Sequence, residues 1–202
     1  VIHGFHAYKF YLYRKKHISS GSSFVITMTG TDLNSDLFNQ ERRQDVLDCL
    51  KEAEAVHLFS EDARLKLLNE LPSIASKTFV IPQGSSIFPL KDHPAEKKDG
   101  TFLFLLPAGI RKVKNVPFAI HALKELRKDY PSIRLLIAGP AIEEDEASIV
   151  RSLIKENSEW VEYAGHLPHE MMGGLYAKAG ALLNTSFHEG QSTAILEALG
   201  SG

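Results

Sequence analysis

The stretch TFLFLLPAG, Thr101 to Gly109, decides the fold. It is a continuous apolar run, and its length suits one strand. A strand with one wet face alternates apolar and polar residues; a run apolar at every position belongs to a parallel sheet covered on both faces. Such a sheet needs helical crossovers, and the sequence downstream supplies them. Asn115 and Pro117 suit the start of a helix over PFAIHALKELRKD, with Phe118, Ala122, Leu123 and Leu126 expected to face inward. IRLLIAG is the next strand, and a helix follows over residues 145–156. WVEYAG, a helix around EMMGGLYAKA, the strand ALLNTS and a helix within STAILEA complete the alternation.

The same grammar runs upstream. VIHGF, FVITMTG, AVHLFS and TFVIP read as strands. AYKFYLYRKKH, QERRQDVLDCLKEAEA and EDARLKLLNEL read as the helices between them. Val46, Leu47, Leu50 and Ala53 share one helical face. Ser60 is placed to cap its helix, with Glu61 and Asp62 complementing the dipole. Between the two series, SSIFPLKDHPAEKKDG carries two prolines and a charge run but no period. The expected organisation is therefore a first α/β domain over residues 1–86, a linker over 87–100 and a second α/β domain over 101–202. The last helix has no returning strand after it. The chain reads as the middle of a longer protein, truncated at both ends.

Composition bounds the partners. With 23 basic and 25 acidic residues in 202, there is no general attraction to nucleic acid. Cys49 is the single cysteine, which excludes an internal disulfide and suits the cytoplasm. Membrane contact is possible but not indicated. No zinc spacing, phosphate-binding Walker loop or Ser-His-Asp signature is present, and no metal site is expected.

In open parallel sheets, ligands bind beyond the carboxyl ends of the strands, and suggestive residues recur there. His6 follows the first strand and TGTD, Thr29 to Asp32, the second. In the second domain AGIRKVKN, GP, GH and SFHEG each follow a strand. Arg111 and Lys114 suit an anion such as a diphosphate beside a helix N-terminus, or are simply solvated. In SFHEGQSTAILEA, Gly190 permits close approach of a ligand, and N–H groups near Gln191, Ser192 and Thr193 suit phosphate oxygens. Glu197 would lie about 12 Å along the axis from Glu189 if the whole span were helical. That distance separates a sugar from a ribose; the plain alternative is a cap and a surface residue. His6 is a donor or a satisfied structural histidine, and His3 a weaker candidate. Asp32 is an acceptor-side residue or a helix cap.

Taken together, AGIRKVKN, IRLLIAGP, VEYAGHLPHEMMGGLYAKAGALLNTSFHEGQSTAILEA resemble the donor-binding domain of retaining glycosyltransferases of the GT-B fold, family 4. FHAYK, TGTDLNSD and IPQG resemble the first domain of the glycosyltransferase 1 domain-containing group. Glu189 and Glu197 match the family's E-x7-E motif. The resemblance implies two Rossmann-like parallel-sheet domains and transfer of a hexose from a nucleotide-sugar donor to an unknown acceptor, with retention and without a cofactor or metal. It implies that Glu197 holds the donor ribose, Glu189 the donor sugar, and Arg111 and Lys114 the departing diphosphate. Gly165 and His166 would lie near the base, and His6 would face the reacting sugar. Lys9, Thr31 and Asp32 would lie on the acceptor side.

The sequence departs from the family in three ways. The arginine lies three residues before the lysine instead of the usual five, so either Arg111 is expected to do only part of the usual work or Lys112 to share it. The first domain's glycine-rich loop and the closing C-terminal helix are absent, so the chain alone is expected to be inactive. The rival class is a non-catalytic nucleotide-sugar-binding or scaffold protein. A Rossmann oxidoreductase is disfavoured, since G-x-G-x-x-G is missing.

Overall fold

A computed structural model describes residues 1–19, 21–85 and 100–201. The expected linker over 87–100 lies almost wholly outside them. Two compact units are formed: residues 1–84 with the short segment 188–192, and residues 85–187 with 193–202.

In the first unit, strands β1 (Ile2–Phe5), β2 (Phe24–Thr27), β3 (Ala55–Leu58) and β4 (Thr78–Val80) form a parallel sheet in the order β1-β2-β3-β4. Helices α1 (Ala7–His17), α3 (Arg43–Glu52) and α4 (Glu61–Glu70) connect them. Phe24 and Ile26 of β2 and Val56 and Leu58 of β3 join Phe10, Val46, Leu50 and Leu67 in one core. The alternation of these positions along each strand is the period-2 pattern of a pleated sheet. Ser60 caps α4, its hydroxyl accepting from the Ala63 N–H at 3.2 Å.

Some short elements have no counterpart in the sequence reading. The five-residue helix α2 (Gly30–Asn34) and a 3₁₀ turn (Asp36–Phe38) occupy TGTDLNSDLF. A helix that short repeats no apolar stripe, so periodicity is silent on it.

In the second unit, β5 (Phe102–Pro107), β6 (Ile133–Ala138), β7 (Val161–Gly165) and the two-residue β8 (Ala181–Leu182) form a parallel sheet in the order β7-β6-β5-β8. Both faces are covered. Leu135 and Ile137 of β6 pack in a core with α5 (Val116–Leu126) and α6 (Glu144–Glu156), while Leu136 packs with Leu175 and Tyr176 of α7 (Met172–Lys178). That is why TFLFLLP and IRLLIA are apolar at nearly every position. The last helix, α8 (Thr193–Gly200), follows β8.

Two expectations are corrected. The buried stripe of α5 is Val116, Ala119, Ile120 and Leu123, whereas Phe118, Ala122 and Leu126 are exposed. Apolar residues lie on both stripes of this helix, so spacing alone could not choose between them. The strand expected over ALLNTS pairs only at Ala181 and Leu182.

Candidate functional site

The second sheet supplies the geometric reason to look at one edge. Connections run outward from β5 through β6 to β7, then return to β8 on the other side of β5. Beyond the carboxyl ends of β5 and β8 the chain leaves in opposite senses, and a crevice opens at such a switch point. Arg111, at the head of a 3₁₀ turn (Lys112–Lys114), follows β5, and residues 184–187 follow β8. The two loops are tied together. Thr185 Oγ1 donates to the Lys114 carbonyl at 2.9 Å, and the Phe187 N–H to the Val113 carbonyl at 2.9 Å. Arg111 Nε is buried with no hydrogen-bond partner among the described residues, so part of this guanidinium is desolvated without compensation. Lys112 is exposed, and its backbone N–H donates to Glu143 Oε2 at 2.8 Å. Gly165 ends β7 with φ +70°, the left-handed region that glycine tolerates, and His166 beyond it is exposed.

Glu197 is the one buried charged residue among the described residues of this unit. It is 5% exposed and lies on α8. The Tyr176 hydroxyl donates to its Oε2 at 2.7 Å, and His169 Nε2 donates to its Oε1 at 2.8 Å. Burial, then the hydrogen bond and charge of Glu197, push the Tyr176 phenol above its usual range, so it keeps its proton and donates. The plain alternative of a surface helix residue therefore fails for Glu197. Its partners, 21 and 28 residues away, carry no local signal; the one clue is a tyrosine on the buried face of α7.

The E-x7-E pair is not one continuous helix. α8 begins at Thr193, and residues 189–192 are non-helical, so the axial spacing of about 12 Å does not apply. Glu189, Gly190, Gln191 and Ser192 group with the first unit, and Thr193 and Glu197 with the second. Within the first unit, Asn34 Nδ2 donates to the Gly30 carbonyl at 2.8 Å and the Glu189 carbonyl at 3.3 Å. Gln191 Oε1 accepts from the Gln83 N–H at 2.8 Å. A Cβ on Gly30 would lie 2.5 Å from the Gly190 nitrogen, so the glycine of TGTD is needed for that approach.

His6 sits at the β1–α1 turn with φ 67° and ψ 95°. A non-glycine residue held there stores strain. Its Nε2 lies 3.6 Å from Asp36 Oδ2, and Arg42 Nη1 donates to Asp36 Oδ1 at 2.9 Å. His6 Nδ1 and Asp36 Oδ2 are both buried without a hydrogen-bond partner among the described residues. Sequence reasoning missed Asp36 and Arg42; the signal was a second carboxylate four residues after Asp32. Asp32 is fully buried. It accepts from the N–H groups of Ala7 and Thr29 at 2.7 Å each and from Thr29 Oγ1 at 2.8 Å. Burial raises its carboxyl above the usual range, opposed by the positive character of His6 and by these donors. Of its two readings the structure favours the cap: its carboxylate pins two strand-to-helix turns and is not presented to an acceptor. Lys9 and Thr31 are exposed on α1 and α2. His3 Nε2 lies 2.7 Å from Thr27 Oγ1, which lies 3.0 Å from His57 Nδ1, so His3 belongs to a cross-strand network.

Among the described residues no group of three or more His, Cys, Asp or Glu is arranged to hold a metal. No helix among them is long and apolar enough to cross a membrane.

The comparisons with known proteins agree with this architecture. Glycosyltransferase 1 domain-containing protein 1 of Xenopus tropicalis is 27% identical over 180 residues, which cover 84% of this chain and 52% of that protein. The chain thus spans about half the length of this curated relative. Sucrose-phosphate synthase from Thermosynechococcus elongatus has a similar structure, with a TM-score of 0.76 at 18% identity, over 98% of this chain and 53% of that one. The pneumococcal O-GlcNAc transferase, solved with UDP and GlcNAc, gives 0.70 at 18% identity, over 89% and 36%. These likenesses show the GT-B kind of fold. The family profile "Glycosyl transferases group 1" matches residues 89–202, more than half of the sequence, and the chain belongs to that family.

Proposed function

We propose that the protein transfers a hexose from a nucleotide-sugar donor to an acceptor hydroxyl with retention of configuration, and that its second unit carries the donor site. The observation that carries this reading is the switch point. The β5 loop bearing Arg111 and Lys114 is tied there to the β8 loop, and the next helix presents the buried carboxylate Glu197. Cations beside the strand ends suit a diphosphate, and a carboxylate suits a vicinal diol.

In this account Glu197 takes the ribose hydroxyls, and Gly165 and His166 flank the base. Arg111 and Lys114, with Lys112, offset the charge gathering on the departing diphosphate. Backbone N–H groups at Gln191, Ser192 and Thr193 add to that stabilisation, which is electrostatic and fixed in advance. Glu189 contacts the donor sugar. His6, with Asp36 behind it, hydrogen-bonds the reacting sugar, and Lys9 and Thr31 lie on the acceptor side. The bond from the anomeric carbon to the phosphate oxygen breaks on the face where the acceptor oxygen bonds, and the acceptor proton passes to that departing oxygen. No metal is called for in this scheme, because the cations fill that role. The single cysteine supports a cytoplasmic setting.

The test is product formation. The full-length protein is incubated with its preferred nucleotide sugar and a panel of hydroxyl acceptors, and the new glycosidic linkage is read by NMR. A retained anomer supports the reading, with His6→Ala lowering turnover far more than donor affinity. An inverted anomer, or binding without any product, overturns it.

A further inference from the structure

The surroundings of Glu197 show how its carboxylate is paired by the protein's own side chains. A carboxylate this buried is costly unless its oxygens are paired. Two very different side chains pair it. Tyr176 is itself 8% exposed, and its phenol keeps its proton. It is a permanent inner anchor on Oε2. His169 lies on the 3₁₀ turn His169–Met171 and keeps 65% of its side chain exposed. A carboxylate only accepts, so His169 Nε2 carries the proton shared with Oε1. The outer oxygen is thus reached through a residue that already stands largely in water. That residue can swing away without opening the core.

We propose that His169 is a stand-in for the ribose diol: it occupies Glu197 Oε1 in the ligand-free protein and leaves when a nucleotide's two vicinal hydroxyls arrive. This rests on the reading of Glu197 as the ribose ligand. The exchange has a direction. The imidazole gives Oε1 one donor, whereas a diol brings two, so a ligand with both hydroxyls repays the displacement. A ligand with neither leaves His169 in place. His169 therefore lowers the apparent affinity for ribonucleotides by the fraction of time it holds Oε1. One hydrogen bond from a side chain that stands largely in water is weakened by solvent screening and corresponds to about a three- to tenfold effect.

The test titrates UDP, GDP and ADP, each beside its 2′,3′-dideoxy analogue, into wild type, His169→Ala, His169→Gln and Tyr176→Phe by calorimetry. For the nucleotide that binds, His169→Ala is expected to tighten the ribo form about three- to tenfold and leave the dideoxy form unchanged. His169→Gln, which retains a donor, should fall between, and it also serves if the alanine variant fails to fold. Tyr176→Phe should weaken the ribo form. Unchanged or weakened ribonucleotide binding in His169→Ala, or equal changes for both forms, overturns the proposal while leaving the donor site standing. Binding of no nucleotide by any of the four proteins removes the donor site and this inference with it.

Discussion

Asp32→Ala is the sharpest test of how the first unit is built. The residue has no exposed surface and accepts three hydrogen bonds, from the N–H of Ala7, the N–H of Thr29 and the hydroxyl of Thr29. Alanine removes both acceptor oxygens, and with them all three bonds. The Ala7 N–H is buried and has no water to turn to, while the Thr29 groups are only partly buried. A buried orphaned donor costs about 1–3 kcal/mol and a partly buried one less. The two N–H groups together suggest about 1.5–4.5 kcal/mol. Part of that returns, because removing the carboxylate also removes its own desolvation, the effect that raises its pKa. A net loss of about 1–3 kcal/mol remains, a sizeable share of the 5–15 kcal/mol that is typical of a domain. Urea denaturation followed by far-UV circular dichroism measures it. Hydrogen exchange should place the damage at the Ala7 and Thr29 amides, on either side of His6 in the fold. A loss below about 1 kcal/mol, with both amides still protected, would refute the view that this carboxylate pins the two turns.

Two further outcomes follow from packing. Gly30→Ala puts a Cβ 2.5 Å from the Gly190 nitrogen and 2.6 Å from the Glu189 carbonyl carbon. Backbone atoms cannot yield as a side-chain tip can, so a loss of about 1–3 kcal/mol in the same urea experiment is expected, and unchanged stability would contradict the close approach. Cys49 is fully buried, and burial pushes its thiol up to about 12. At pH 8 it is a thiol and shielded, so native protein should resist a disulfide reagent that reacts at once in denaturant; rapid native labelling would contradict this.

What the sequence disclosed follows physical lines. Strands buried on both faces have to be apolar throughout, which made TFLFLLP and IRLLIA readable and with them the α/β class. Helices with one wet face, such as α3, showed their stripe through Val46, Leu50 and Ala53. α5 carries apolar Phe118, Ala122 and Leu126 beside its buried stripe, and so hid its inner face. α2 starts on a glycine and ends after five residues, too short for any periodicity. At the site, the order of the sequence placed Arg111 and Lys114 in the loop after β5 and Glu197 on the last helix. It could not say that the helix begins only at Thr193, nor that Tyr176 and His169 hold Glu197. Those pairings depend on which helices the sheet brings side by side. His6 was legible as a candidate from its place after β1, whereas its strained backbone and the buried Asp36 beside it belong to the fold alone.

The central claim is a nucleotide-sugar site in the second unit, and its most direct test is calorimetric titration of UDP-, GDP- and ADP-sugars. The account predicts saturable binding of one of the three classes. Glu197→Ala should weaken it by the loss of charge-assisted hydrogen bonds worth about 1.5–3 kcal/mol, and Arg111→Ala should weaken it too. Absence of binding for all three classes, or undiminished affinity in both variants, would contradict it.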